Sequence, residues 1–245
     1  MIPLGDDNPT RIAPIITWVL IVVNIVVFIW EMLLDPRTYE QMIQKYGFVP
    51  ILVTSGKAYY TFLTSMFLHG GILHLAGNMW YMHVFGDNVE DLCGYVPYLV
   101  FYLICGFVGS LFQLAAEWGS SIPSIGASGA ISGLLGAYVY LFPNVRIRTA
   151  ITWGFFMRIT RLPAYYLIGF WFLYQLLLGM LASDMSVAYW AHIGGFVAGL
   201  ALARIFVRRR EVHPLFQTPY VGYEGRRSRS QANLRSQNRC SIQQS

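Results

Sequence analysis

Charge is scarce in this chain. Asp, Glu, Lys and Arg make up 12% of its 245 residues, where a soluble domain carries roughly a quarter, so a fold solvated mainly by water is excluded. Cysteine is scarce too: Cys93, Cys105 and Cys240 are the three present. They offer no pair in an outer loop and no Cys-x-x-Cys spacing, which argues against a disulfide framework or a thiolate metal site. His-Glu-x-x-His is absent and no carboxylate accompanies the apolar-run histidines, which weakens a zinc reading. The run Gly126-Ala127-Ser128-Gly129-Ala130 lacks the second glycine of Gly-x-Ser-x-Gly and follows no strand pattern, against a hydrolase of the water-soluble type. Internal repeats and paired broken helices are missing, against a transporter.

Apolar residues are what the chain has in excess, at 56% hydrophobic and 16% aromatic. They gather into six runs near the length that a hydrocarbon core of about 30 Å asks of a helix: Ile12–Trp30, Thr61–Phe85, Val96–Ala116, Ser128–Phe142, Tyr165–Leu181 and Val187–Val207. The expected fold class is therefore an all-α integral membrane protein with six transmembrane helices. The fourth run is short, opens at a loop rich in Gly and Ser, and stops at Pro143, so its outer end is expected beneath the headgroups. The first run resembles a secretory signal in position, but it is long, holds Asn24 and lacks a small-residue cleavage site before Glu31 and Asp35, so a retained span is expected.

The basic residues set an orientation. Arg37, Lys45 and Lys57 fall in the first loop; Arg146, Arg148, Arg158 and Arg161 lie between runs four and five, and the arginines from Arg204 to Arg239 crowd the C-terminal end. The positive-inside rule then puts both termini and the loop after Phe142 in the cytoplasm, as an even span count requires, with the plasma (cell inner) membrane as the expected location of a multi-pass protein. Three regions follow: a polar cytoplasmic arm at 1–11, a membrane core at 12–207 and a basic, disordered tail at 208–245. The net charge of +5 is a matter of topology, and the tail is expected to meet anionic lipid headgroups and no nucleic acid. Residues Tyr46–Val53 are apolar for a loop; they either lie in the interface as an anchor or pack on the bundle. The loop Val145–Arg161 mixes arginines with Trp153, Phe155 and Phe156 and is expected to hug the membrane.

Polar groups inside apolar runs are costly, and they are where chemistry is sought. Ser128 opens run four, and His192 sits within Tyr189-Trp190-Ala191-His192-Ile193-Gly194-Gly195. Run two carries His69, His74 and Asn78. His74 and Asn78, four residues apart, share a helical face at an angle of roughly 40°, whereas His69 would lie roughly 140° away and edge the outer mouth. A lone His or Asn in a span is more often an interhelical hydrogen-bond partner. Here runs two, four and six point the same way, so His74, Asn78, Ser128 and His192 share one depth, which points to a common cavity. In it Ser128, at a helix start with free N–H groups, is the candidate nucleophile. His192 is the candidate base, and His74, Asn78 and the Ser128 amide are candidate oxyanion donors. The acid nearest to His192 in sequence, Asp184, falls in an outer loop, so a dyad is expected. Gly129, Gly133 and Gly136 in run four, with Gly195 and Gly199 in run six, give small faces that allow close helix approach.

His-x4-His-x3-Asn, Gly-Ala-Ser-Gly and Ala-His-x2-Gly-x3-Gly, in this order and at these helix positions, resemble the rhomboid family of intramembrane serine proteases over roughly Ile12 to Val207. The resemblance implies a six-helix rhomboid-like bundle with Ser128 and His192 as catalytic dyad, His74, Asn78 and Ser128 as oxyanion hole, and Gly126 shaping the active-site turn. It implies a structural role for Glu90, and a gate made by the loop Ser183–Ala188 with span five. Single-span membrane proteins in the lipid bilayer would be the substrates, and no metal or other cofactor would be needed. A non-catalytic rhomboid-like scaffold that holds such clients is the alternative. The chain departs from the family in lacking a Trp-Arg pair in the first loop. It also carries Ser132 where several bacterial members place an aromatic ring that stacks on the catalytic imidazole.

Overall fold

The computed structural model describes residues 1–153, 156–181 and 187–207, which fall within a unit set apart from the residues after 208. The expected basic tail and most of the expected gate loop Ser183–Ala188 lie outside the described residues, as do Asp184 and Cys240.

Among the described residues nine helices and three strands follow in order: β1 (Ile2–Asp6), α1 (Ile15–Met32), α2 (Pro36–Tyr46), α3 (Pro50–Thr54), α4 (Thr61–Thr64) continued by a 3-10 turn at Ser65–Phe67, α5 (Ile72–Cys93), α6 (Tyr95–Ala116), α7 (Ser128–Leu141), β2 (Arg146–Trp153), β3 (Phe156–Pro163), α8 (Ala164–Leu181) and α9 (Tyr189–Phe206). Among the described residues α1, α6, α8 and α9 are long and apolar enough to cross a membrane. The two other expected spans differ for separate reasons. α5 is long, but His74, Asn78, His83, Asp87, Asn88, Glu90 and Asp91 dilute its apolar character. α7 is apolar but has 14 residues, a length of about 21 Å.

α7 is the axis of the unit. Every residue from Gly129 to Tyr138 is buried, and the helix packs chiefly against α9 and α6, then α5. That burial depends on small faces. A Cβ added at Gly195 would stand 2.8 Å from the carbonyl carbon of Gly129, and one at Gly199 would stand 2.6 Å from Gly133 Cα, closer than carbon atoms pack. α8, by contrast, buries only Ala164, Leu167, Ile168 and Gln175.

The start of α1 is secured from α5. Glu90, fully buried, accepts hydrogen bonds from the N–H groups of Ile16 and Thr17, each at 2.8 Å, and from the Thr17 hydroxyl at 2.7 Å. A carboxylate there answers two of the N–H groups that a helix start leaves free and faces the positive end of its dipole. Gly94, at φ +80°, ends α5 and lets the chain reverse directly into α6.

The three-stranded antiparallel sheet, in the order β1-β2-β3, corrects the all-α expectation. Residues 1–11 contain a strand, and the loop between α7 and α8 is largely a hairpin. The pattern that makes it so has period two. Ile147 and Thr149 are fully buried on one face while Arg146 and Arg148 are exposed on the other, and β-branched residues suit such a half-covered pleat. β1 pairs Ile2 with Ala150 and Asp6 with Ile147. The arm is tied to α5 besides: Trp80 Nε1 donates to the Pro3 carbonyl, Asn8 to Asn88, and the Arg11 and Ile12 N–H groups to Asp91 at 3.1 and 3.0 Å. Tyr138 of α7 donates to Asp6, which also accepts from Asn88 at 2.9 Å.

Of the two readings of Tyr46–Val53, packing on the bundle is the one observed. Phe48, Val49 and Val53 are buried, and Phe48 exchanges two backbone hydrogen bonds with Ser124, at 2.9 and 2.8 Å.

Candidate active site

The loop before α7 is held from two sides. Ser124 is paired to Phe48, and the Gly126 N–H donates to the Ser65 carbonyl at 2.8 Å. Gly126 has φ +124°, a conformation that a residue with a side chain rarely adopts. The turn delivers Ser128 as the first residue of α7, with its N–H among those a helix start leaves unpaired.

α9 faces this point with its first turn. The hydroxyl of Ser128 lies 2.7 Å from Nε2 of His192. The close contact of α7 with α9 at Gly129–Gly195 and Gly133–Gly199 brings a short side chain within reach of an imidazole. Both residues are partly exposed. On the far side of the ring, Nδ1 lies 2.8 Å from Oε1 of Gln175 on α8. Trp171 of α8 flanks the ring at 6.1 Å between centroids, inclined by 35°, and Tyr189 meets it edge-on at 6.5 Å. Ser132 holds no ring: it is buried and donates to the Ser128 carbonyl at 2.6 Å.

His74 and Asn78 converge on the other side of the turn. A Cβ at Gly126 would fall 2.8 Å from His74 Nε2 and 3.7 Å from Asn78 Nδ2, so the absent side chain leaves room for both. Nδ1 of His74 accepts from the Gly70 N–H at 3.4 Å; this assigns the proton of the neutral ring to Nε2, the nitrogen that faces the turn. Asn78 is buried, and among the described residues its Nδ2 has no hydrogen-bond partner, which leaves a donor directed at the site.

His69 departs from expectation. It is fully buried, its ring lies 5.1 Å from that of His74, and its N–H donates to the buried carboxylate of Glu31 at 3.3 and 3.2 Å. The physical reason is that α5 begins at Ile72. His69 precedes the helix, so helical angles do not apply to it.

Gln175 and Gln113 join the site without having been singled out from the sequence. Gln113 of α6 is buried and accepts from the Ala191 N–H at 3.2 Å, which satisfies a free donor in the first turn of α9. A cavity of about 30 Å³ lies beside Ser128, and its polar lining includes Ser65, Ser110, Gln113 and Ser124. Such a space is wide and polar enough for water. Among the described residues no group of three or more His, Cys, Asp or Glu is placed to hold a metal ion.

A multi-pass membrane protein with a hydroxyl, an imidazole and three directed donors around one glycine turn is the class that these observations define. Residues 56–209 match the Rhomboid domain, well over half of the chain, and the chain belongs to the rhomboid family. It is 33% identical over 190 residues to RHOMBOID-like protein 6, mitochondrial, of Arabidopsis thaliana, covering 76% of this chain and 53% of that protein. It is 31% identical over 137 residues to Rhomboid protein 1, mitochondrial, of Saccharomyces cerevisiae, covering 54% and 38%. With Rhomboid protease GluP of Bacillus subtilis it shares 29% over 190 residues, covering 78% and 34%. The chain thus spans between about a third and about half of the length of these relatives.

Proposed function

We propose that this chain is an intramembrane serine endopeptidase that hydrolyses peptide bonds in or near the transmembrane segments of single-span membrane proteins. The observation that carries the reading is the 2.7 Å approach of Ser128 Oγ to His192 Nε2, made across two apolar helices where a hydroxyl and an imidazole are costly without a task. Membership of the rhomboid family, with a relative named as a protease, supports it.

His192 takes the proton as Ser128 Oγ attacks the scissile carbonyl. The oxygen that gains charge is met by the Ser128 N–H, Asn78 Nδ2 and His74 Nε2, donors already in place and therefore needing no reorganisation. His192 then protonates the leaving amine. Water, for which the cavity beside Ser128 supplies space, hydrolyses the acyl-enzyme with His192 again as base. Metal and organic cofactors have no part in this scheme.

In the proposal α5 and α7 complete a six-helix crossing with α1, α6, α8 and α9. α7 is wrapped by protein over Gly129–Tyr138, so its short length exposes little backbone to lipid. Residues 12–207 form the protease core, and 208–245 form a basic tail that contacts anionic headgroups. Both termini and the sheet lie on the cytoplasmic side, as the placing of Arg146, Arg148, Arg158, Arg161 and the C-terminal arginines supports.

The test is the rate at which the purified protein in liposomes cuts a single-span substrate, together with labelling of Ser128 by a fluorophosphonate. Ser128→Ala is expected to abolish both while the protein still folds. Cleavage by that variant at the parent's rate would refute the nucleophile, and a parent that binds the substrate but neither cuts it nor labels would favour the scaffold.

A further inference from the structure

We infer that Gln175 is a positioning residue which selects the tautomer and fixes the orientation of His192, the part that an acidic third residue plays in a triad. The inference rests on the proteolytic reading above. For Ser128 to donate to Nε2, the neutral ring must carry its proton on Nδ1. That N–H requires an acceptor, because a buried donor without one is costly. Gln175 Oε1 stands 2.8 Å from Nδ1. Assigning the amide oxygen to this contact follows from the same proton: the amide nitrogen would set donor against donor. Gln175 is 7% exposed, in a helix whose other buried residues are Ala164, Leu167 and Ile168. An amide set in so apolar a stretch is costly unless it is paired, and Nδ1 of His192 is its partner.

The neighbours of the ring leave this task to Gln175. α7 presents Ser128, and α6 presents Gln113, whose oxygen is engaged by the Ala191 N–H. α8 adds Trp171, whose ring supplies no comparable acceptor. Among the described residues the titratable groups that face His192 are His74 from α5 and Tyr189 from its own helix. Among the described residues no carboxylate pairs with the ring.

A neutral acceptor has a chemical consequence. It orients the imidazole as a carboxylate does, but it stabilises the imidazolium through a dipole and not through a full charge. Replacing it by a carboxylate keeps the orientation and favours the protonated ring, so the base is lost at a higher pH.

The experiment compares Gln175→Met and Gln175→Glu with the parent in liposomes, reading kcat and KM for a single-span substrate across pH, fluorophosphonate labelling of Ser128, and unfolding temperature in detergent. Gln175→Met, close in shape but without an acceptor, is expected to lower kcat about 10- to 100-fold with KM little changed. Gln175→Glu is expected to restore most of kcat at alkaline pH and to move the acid limb of the profile upward by about one pH unit. A group that merely packs would shift the unfolding temperature and leave the limb where it is. The inference is overturned if Gln175→Met keeps the parent's kcat and profile, or if Gln175→Glu is no better than Gln175→Met with its acid limb unmoved. Should Gln175→Met fail to fold, the limb of Gln175→Glu decides alone. A parent that neither cuts nor labels sinks the proteolytic reading itself and this inference with it, whereas an active parent with indifferent variants sinks only the role of Gln175.

Discussion

Gly199→Ala is the substitution for which the structure sets the sharpest expectation. The added Cβ would stand 2.6 Å from both Cα and the carbonyl carbon of Gly133, whereas non-bonded carbons pack at about 3.5–4.0 Å. The obstacle is backbone on α7, so no side chain can turn aside, and α9 must move away by about 1 Å. Gly199 and His192 lie on one continuous helix, so His192 is carried along. A 2.7 Å contact with Ser128 stretched by about 1 Å leaves hydrogen-bonding range, and a displacement of this size costs about 10²-fold in rate. Overpacking of this kind lowers stability by about 1–3 kcal/mol, so a folded protein is expected with Ser128 and His192 separated. The assay is the cleavage rate in liposomes beside the rate of fluorophosphonate labelling and the unfolding temperature, with Gly169→Ala on α8 as control, since a Cβ there meets nothing within 4 Å. Gly199→Ala cutting and labelling at the parent's rate would refute the claim that the α7–α9 contact sets the distance between Ser128 and His192.

Asn78→Ala is expected to lower kcat by roughly 10²–10³ with little change in KM, as one oxyanion donor typically contributes; an unchanged kcat would remove Asn78 from that role. Glu90→Gln, which cannot accept all three of its hydrogen bonds with charge, is expected to lower stability by about 1–3 kcal/mol, read as a drop in unfolding temperature, while the folded protein still labels at Ser128. The Asp6 carboxyl, outside the membrane-spanning segments, is pushed by burial from 3.8 up to about 6, against the lowering effect of its hydrogen bonds from Tyr138 and Asn8. Because the folded state then binds the proton more tightly, the contribution of Asp6 is complete below about pH 4, falls as pH rises and is gone above about pH 6, amounting to at most roughly 3 kcal/mol. Thermal unfolding from pH 4 to 7 should show that fall in the parent and lose it in Asp6→Asn; equal slopes would exclude Asp6 as its source.

Lipid as solvent explains which parts of this protein were legible in its sequence. Where most residues are apolar, Ser128, His192, His74 and Asn78 stand out one by one, and the common direction of three runs put them at one depth. Run boundaries were legible for the same reason: the helices α1, α6, α8 and α9 fall within a few residues of the expected runs. Gln113 and Gln175 gave a signal of the same kind, as the sole amides of their runs. They lay hidden because neither belongs to a short motif, and their partners, Ala191 and His192, are 78 and 17 residues away.

The sheet and the helix contacts were illegible for a different reason. The alternation of Ile147 and Thr149 with Arg146 and Arg148 is a strand pattern, but beside a membrane the same arginines and aromatics also suit an interfacial loop. The strand that completes the sheet, β1, pairs Ile2 with Ala150, a partner no local pattern indicates. Gly129, Gly133, Gly136, Gly195 and Gly199 advertised small faces without saying which face met which. Gly106 and Gly109 of α6 are equally small, and a Cβ on Gly133 would be blocked by Cys105 of α6 as well as by α9. Only the three-dimensional arrangement shows α7 held between α6 and α9 on both sides. Chemistry in such a protein rests on rare residues and can be read from them, whereas the distance between Ser128 and His192 rests on common ones, and it is there that Gly199→Ala acts.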